Sequence, residues 1–148
     1  DDVVGNLGPE PLEDEFTAEI LAEILRGKRR VLKPFLLDQT MIAGIGNIYA
    51  DEALFYAGLH PRRRTDTLDA QDIKKLHEGI QHVLRLGIKR EGASIDTYLK
   101  PDGQKGNMQE DVMVFRRTGL PCFNCGGPIQ RIVLGGRSTH FCEHCQKE

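Results

Sequence analysis

Cys122-Phe123-Asn124-Cys125, then sixteen residues, then Cys142-Glu143-His144-Cys145: the reading of this stretch decides how the C-terminal part of the chain folds. All four cysteines of the 148-residue sequence lie within its last 27 residues. Two C-x2-C knuckles at this separation match a zinc ribbon, in which four thiolates close a tetrahedral shell around one ion. The alternative, two disulfides, suits a secreted chain. The first fifteen residues are acidic and broken by Gly and Pro, and do not read as a secretory signal. The expected cofactor is therefore one zinc ion per chain, on Cys122, Cys125, Cys142 and Cys145. His140 and His144 are read as non-ligands, because four cysteines already fill the shell. Bringing two knuckles together needs a hairpin. Residues 129 to 134, the Gly135-Gly136 turn and Ser138 to Phe141 supply one. So small a ribbon has little core, and the metal should supply much of its folding free energy.

Upstream the pattern turns helical. Phe16, Ile20, Leu21, Ile24 and Leu25 keep helical spacing, and Gly27 suits a C-terminal cap. A short helix is expected with Val31, Leu32, Phe35 and Leu36 inward and Pro34 in its first turn. Another runs from about Ile48 to Ala57, with Tyr49, Ala53 and Tyr56 on one face, and Gly58 ends it. A longer helix starts near Asp69, with Ile73, Leu76, Ile80, Val83, Leu84 and Ile88 as its apolar stripe. Residues 91 to 107 read as a loop, and Val112 to Phe115 as a short extended piece. The fold class is mainly α: a helical domain followed by a small four-cysteine β-hairpin ribbon.

The net charge of -2 hides an uneven distribution. Residues 1 to 24 carry eight acidic residues and no basic one, which leaves 14 acidic against 20 basic residues in the remainder. A modest basic body thus follows an acidic leader. By itself this is compatible with an ordinary solvated surface. No apolar run is long enough to span a bilayer, so no membrane partner is expected. The chain starts with Asp1-Asp2 in what reads as a connecting segment, and is taken as a fragment or a processed product.

Gly44-Ile45-Gly46-Asn47 admits two readings. Two glycines let the backbone turn tightly and approach a ligand closely, and a helix starts directly after them. Free N–H groups and the positive end of the helix dipole would make a phosphate site, to which Asn47 adds an amide. Equally, this is a tight turn between helices with Asn47 as N-cap.

Several runs together carry a resemblance. Leu36-Leu37-Asp38-Gln39 followed by Ala43-Gly44-Ile45-Gly46-Asn47-Ile48-Tyr49-Ala50-Asp51-Glu52 resembles the helix-two-turn-helix signature of formamidopyrimidine-DNA glycosylases. Gly8-Pro9-Glu10-Pro11-Leu12 looks like the segment that enters that family's second domain, and His60-Pro61 follows the helical pair as it does there. Gly103-x2-Gly106-x-Met108-Gln109 is similar to the family's glycine-rich loop. Arg117-x-Gly119-x-Pro121-Cys122 leads into the ribbon, and Cys145-Gln146 closes it. The match covers nearly the whole chain and looks closer to this branch than to the related endonuclease VIII branch. Two departures are visible. Phe115-Arg116-Arg117 stands where the family often has Tyr, Gly and Arg, and Met108 stands where Phe is common.

The resemblance implies the C-terminal half of a base-excision-repair enzyme, a DNA glycosylase and AP lyase acting on oxidised purines. Such an enzyme must flip its target base out of the stack. The family's nucleophile, an N-terminal proline, belongs to a catalytic N-terminal domain absent from this sequence. No catalytic residue is therefore carried over, and the fragment alone is expected to be inactive. The implied partners are that missing domain and double-stranded DNA with an oxidised purine or abasic site. The implied setting is bacterial, cytoplasmic and nucleoid-associated, as a monomer. Gly46, Asn47 and Arg137, five residues before Cys142, match DNA-contacting positions; without the resemblance Arg137 is simply an exposed hairpin arginine. Ser94, Gly103 and Gly106 match the loop that covers the lesion. The expected division is an acidic linker over 1–13, a DNA-binding helical domain over 14–92, the lesion-covering loop and connector over 93–116, and the ribbon over 117–148. The basic clusters Lys28-Arg29-Arg30 and Arg62-Arg63-Arg64 add at most nonspecific attraction. Two other classes remain open, a nucleic-acid-binding zinc module without lesion specificity and a zinc-ribbon protein-interaction domain.

Overall fold

The computed structural model describes residues 7–98 and 112–148, with backbone alone for residues 90–98. Its described part has four α-helices: α1 (Ala18–Leu25), α2 (Leu32–Leu37), α3 (Asn47–Ala57) and α4 (Ala70–Tyr98). A two-stranded antiparallel hairpin follows, β1 (Gln130–Leu134) and β2 (Arg137–Phe141). The expected class, a helical domain with a small ribbon, is what the chain adopts.

Local chemistry explains the ends of the elements. Thr17 caps α1 by accepting the Ile20 N–H at 3.1 Å. Pro34 lies in the first turn of α2, where its missing N–H costs nothing. The two N–H groups before it, of Leu32 and Lys33, donate to the carbonyls of Arg63 and Pro61. α3 stops at Gly58, in the left-handed region at φ 73°. The hairpin pairs Leu134 with Arg137 across Gly135-Gly136, both at positive φ, which is the turn its two-residue loop requires.

α3 is the centre of the molecule. Ala50, Ala53, Leu54 and Ala57 join Leu21, Leu32, Phe35, Leu36, Leu76 and Ile80 in the main core. α4 approaches α3 very closely because Gly79 faces it: a Cβ there would lie 2.9 Å from the Ala53 carbonyl oxygen. Phe55, also on α3, belongs instead to a second core with Val114, Cys122, Ile129 and Cys142. The ribbon's core cluster thus takes its largest side chain from the helical domain.

Three expectations are corrected. α4 continues to Tyr98, so Ser94 lies on a helix and not in a loop, and the 93–116 segment is helical at its start. Gly103 and Gly106 lie outside the described residues. Val112 to Phe115 form bends and a turn rather than an extended piece. They are gathered around one carboxylate: the N–H groups of Met113, Val114 and Phe115 donate to Glu52 at 2.7, 2.9 and 2.9 Å. Finally, Ile20 and Ile88 point outward, 39% and 59% exposed, so the apolar stripes of α1 and α4 are narrower than their sequences suggest.

Candidate metal centre and nucleic-acid interface

Each knuckle folds around its own sulfurs. The Asn124 N–H points at the Cys122 sulfur at 3.3 Å, and the Gly127 N–H at the Cys125 sulfur at 3.4 Å. The hairpin then brings the second knuckle onto the first. The four sulfurs lie within 4.8 Å of one another. Cys122 and Cys145 are 3.8 Å apart, and Cys125 and Cys142 are 3.5 Å apart. A tetrahedral ion with Zn–S bonds of about 2.3 Å has sulfur edges of about 3.8 Å, whereas a disulfide needs about 2.05 Å. The spacing fits a shared ion and excludes two disulfides.

The protonation chemistry agrees. Burial raises the Cys122 pKa, but N–H groups of Cys125 and Asn124 outweigh this and bring it down to about 7. Burial and the three neighbouring sulfurs push Cys145 up to about 12. Four thiolates cannot collect here without a cation among them. Cys122, Cys125, Cys142 and Cys145 can hold one metal ion and leave it no open position, so its contribution is to folding.

The second knuckle is tied to the end of α3. Gln146 accepts the Cys142 N–H at 2.8 Å and donates to the Leu59 carbonyl at 3.0 Å. Lys147 exchanges backbone bonds with Gly58 and His60. His60 is buried, its ring edge-on to Phe141 with centroids 4.5 Å apart.

A seam of buried polar groups joins α2, α3 and β2. The Lys33 ammonium and an Asp51 carboxylate oxygen are 2.7 Å apart, both side chains fully buried. Lys33 also donates to the Ser138 carbonyl at 2.8 Å and the Thr139 hydroxyl at 2.9 Å. The other Asp51 oxygen accepts the His140 N–H and lies 3.0 Å from His140 Nδ1. Burial drives the Lys33 pKa down, Asp51 opposes that, and the charge of Arg137 adds to it. His140 is therefore bound into the seam.

This seam fixes the candidate phosphate site. Gln39 brackets the glycine turn, accepting the Gly44 N–H at 2.6 Å and donating to the Ile45 carbonyl at 3.2 Å. Gly46, not Asn47, is the N-cap of α3, and no side chain caps that end. Asn47 is instead the first helical residue. Its Nδ2 donates to the Ser138 carbonyl at 3.1 Å, the same oxygen that Lys33 holds. The backbone N–H groups of Asn47 and Ile48 have no partner among the described residues. One residue from Ser138 stands Arg137, exposed and without an ion pair or side-chain hydrogen bond among the described residues. The hairpin tip rests on α2: a Cβ at Gly135 would lie 3.4 Å from Pro34. The structure therefore brings Asn47 and Arg137 to one place, ninety residues apart in sequence.

Sequence reasoning missed what holds them there. It gives no role to Lys33 or to the acids Asp51 and Glu52, and does not tie Gln39 to the glycine turn. A signal existed: Asp51 and Glu52 sit in a helix whose neighbours Ala50, Ala53, Leu54 and Phe55 leave no polar face for them. Two adjacent acids in such a helix must be buried and bonded.

Comparison with known proteins follows the same outline. Residues 7–98 match the family described as the formamidopyrimidine-DNA glycosylase H2TH domain, and residues 119–147 the zinc finger found in FPG and IleRS. The formamidopyrimidine-DNA glycosylase of Pediococcus pentosaceus is 47% identical over 140 residues, covering 95% of this chain and 51% of that protein. The crystal structure of the MutM (Fpg) protein from Thermus thermophilus superposes with a TM-score of 0.85 at 40% identity, over 98% of this chain and 55% of that one. Lactococcus lactis Fpg in complex with DNA containing an abasic site gives 0.86 at 41% identity, over 99% and 54%. The chain thus spans about half the length of the relatives it matches, and no described helix is long and apolar enough to cross a membrane. With one family matched over most of its helical part and the accompanying zinc finger over the ribbon, the chain belongs to the formamidopyrimidine-DNA glycosylase H2TH family.

Proposed function

We propose that this chain is the DNA-grasping half of a glycosylase and AP lyase for oxidised purines, and that it holds duplex DNA by the phosphates beside a damaged or abasic nucleotide. The observation that carries the reading is the bond from Asn47 to Ser138, which fastens the N-terminus of α3 to the hairpin beside Arg137. The uncapped N–H groups and the positive dipole end of α3 suit one phosphate. The Arg137 fork suits the same or the next one. Asn47 keeps a second Nδ2–H for the ligand after serving Ser138. Gly46 lets the DNA backbone approach without a side chain in the way. The zinc keeps β2, and with it Arg137, in register. Ser94, Gly103 and Gly106 are assigned to contacts with the flipped base. The nucleophile is assigned to the other half of the relatives' length, so the 148 residues alone are expected to bind without excising. Lesion preference, as opposed to plain duplex binding, is part of the same proposal.

The test is fluorescence anisotropy with a labelled duplex carrying an abasic-site analogue, at several salt concentrations and with zinc content checked. A charge-assisted phosphate contact contributes about 1.5–3 kcal/mol, so Arg137→Ala should weaken binding roughly ten- to a hundredfold. It should also lower the salt slope by about one unit, since one phosphate charge goes unneutralised. Unaltered affinity and slope in that variant would leave Arg137 as an exposed arginine and end the reading. Equal affinity for intact and abasic duplex would favour a binding module without lesion preference.

A further inference from the structure

Among the described residues, Arg116 alone combines a side chain with a left-handed backbone, at φ 60°. Such a residue persists only where its surroundings over-determine it, and these conformations cluster at functional sites. The surroundings of Arg116 do so from both sides. Before it, Glu52 holds three successive N–H groups up to Phe115. The Phe115 ring is buried and meets the His140 ring edge-on, with centroids 5.2 Å apart. His140 in turn sits on Asp51, one turn along α3 from Asn47. After it, the Arg117 N–H donates to the Val114 carbonyl, and its guanidinium donates to the carbonyls of Met113 and Pro121, each at 2.7 Å.

Arg116 itself contributes nothing to this packing. It is exposed and makes no ion pair or hydrogen bond among the described residues. Its guanidinium carbon lies 5.2 Å from the centroid of the Phe115 ring, a cation–π seat that steadies the group while leaving its five donors free. Glycine would take the same backbone without strain. A strained arginine in its place is accounted for if the position serves the charge and not the turn.

We propose that Arg116 is a third phosphate-binding group of the DNA site, joined to the elements that carry Asn47 and Arg137 by the contacts of Phe115, His140 and Asp51. The proposal rests on the DNA-binding reading above and adds a residue to it. Strain and charge make opposite demands on Arg116, which separates a binding role from a structural one. Arg116→Gly removes both: its melting temperature should be unchanged or higher, while affinity for the abasic-analogue duplex falls about tenfold and the salt slope drops by about one unit. Arg116→Lys keeps the charge, so its salt slope should stay near that of the parent, though it loses the bidentate fork. Arg26→Gln, which removes one charge at the end of α1, should leave the slope nearly as it was.

The 148-residue chain with zinc bound is used throughout, with Arg137→Ala run in parallel. Parent-like affinity and slope in Arg116→Gly, while Arg137→Ala weakens binding, would overturn the Arg116 proposal and leave the DNA reading standing. No salt-dependent duplex binding by the parent would overturn the DNA reading and this proposal with it. A lowered melting temperature or lost zinc in Arg116→Gly would make the residue structural, and an equal slope change in Arg26→Gln would reduce the effect to bulk charge. Either outcome rejects the proposal.

Discussion

The helical domain and the ribbon are held together by different means. In the helical domain Leu21, Leu32, Leu36, Leu54 and Leu76 are all fully buried in one cluster to which every helix contributes. The ribbon's cluster contains Val114, Cys122, Ile129 and Cys142, and its Phe55 comes from α3. One part can fold by burying apolar surface. The other has to be closed by a metal ion and fastened by polar bonds. The proposed DNA interface is where the two meet, so its geometry depends on the weaker partner being locked onto the stronger one.

Metal removal should give the largest effect. Structural zinc contributes about 10–16 kcal/mol of binding free energy in zinc-finger peptides at neutral pH. Chelation, or Cys142→Ser, should therefore unfold residues 117–147 while the far-ultraviolet circular dichroism of the helices largely persists. Amide exchange would report it: hairpin amides that stay protected without metal would break the contrast between the two regions.

The buried seam comes next. Asp51→Asn leaves the Lys33 ammonium buried without its counter-charge, and breaking such a pair costs about 3–5 kcal/mol. Calorimetry should show this as a large fall in melting temperature. Adding Lys33→Met removes the stranded charge and should recover part of the loss. No recovery in the double variant would mean that the two charges are not coupled.

A smaller effect is expected on the helical side. Gly79→Ala forces a methyl group to within 2.9 Å of the Ala53 carbonyl, and overpacking of this kind costs about 1–3 kcal/mol. It should leave zinc affinity unchanged. Zinc lost in parallel with stability would show that the two regions cannot be perturbed separately.

The smallest effect concerns pH. Hydrogen bonds from Thr40, then from Arg30, hold the Asp38 carboxyl below its ordinary value of 3.8. Its contribution is complete above that ordinary value and is lost as pH falls through the depressed folded value. Asp38→Asn should flatten the acid limb of stability in that window and change neutral stability by less than about 1 kcal/mol, since the pair is partly solvated. An acid limb identical to the parent's would assign the loss to other carboxylates.

These predictions also mark what could be read from sequence. The ribbon was legible because metal chemistry fixes ligand type and spacing, and Gly135-Gly136 dictates its turn. α1, α2 and α3 were legible from apolar spacing and from Pro34 and Gly58. The end of α4 was not: Gly92 and Ser94 weaken helix propensity, yet the helix runs on to Tyr98. The seam was hidden for another reason. Lys33, Asp51 and His140 are separated by 18 and 89 residues, and no local pattern pairs a lysine on one helix with a strand that far along. Asn47 stood out from the glycine turn and the helix start, but its bond to Ser138 did not, because that partner is a backbone carbonyl that sequence does not distinguish.

The central claim is that Asn47 and Arg137 act as one clamp across the two regions. A double-mutant cycle measures this directly, with Asn47→Ala, Arg137→Ala and the pair compared in duplex affinity at fixed salt and full zinc occupancy. Asn47→Ala should weaken binding with little change in salt slope, because the amide carries no charge. If the two residues share one site, the losses should fail to add, with a coupling of at least about 0.5 kcal/mol. Losses that add within error, in variants that keep their zinc and their melting temperature, would contradict the clamp and leave two independent contacts.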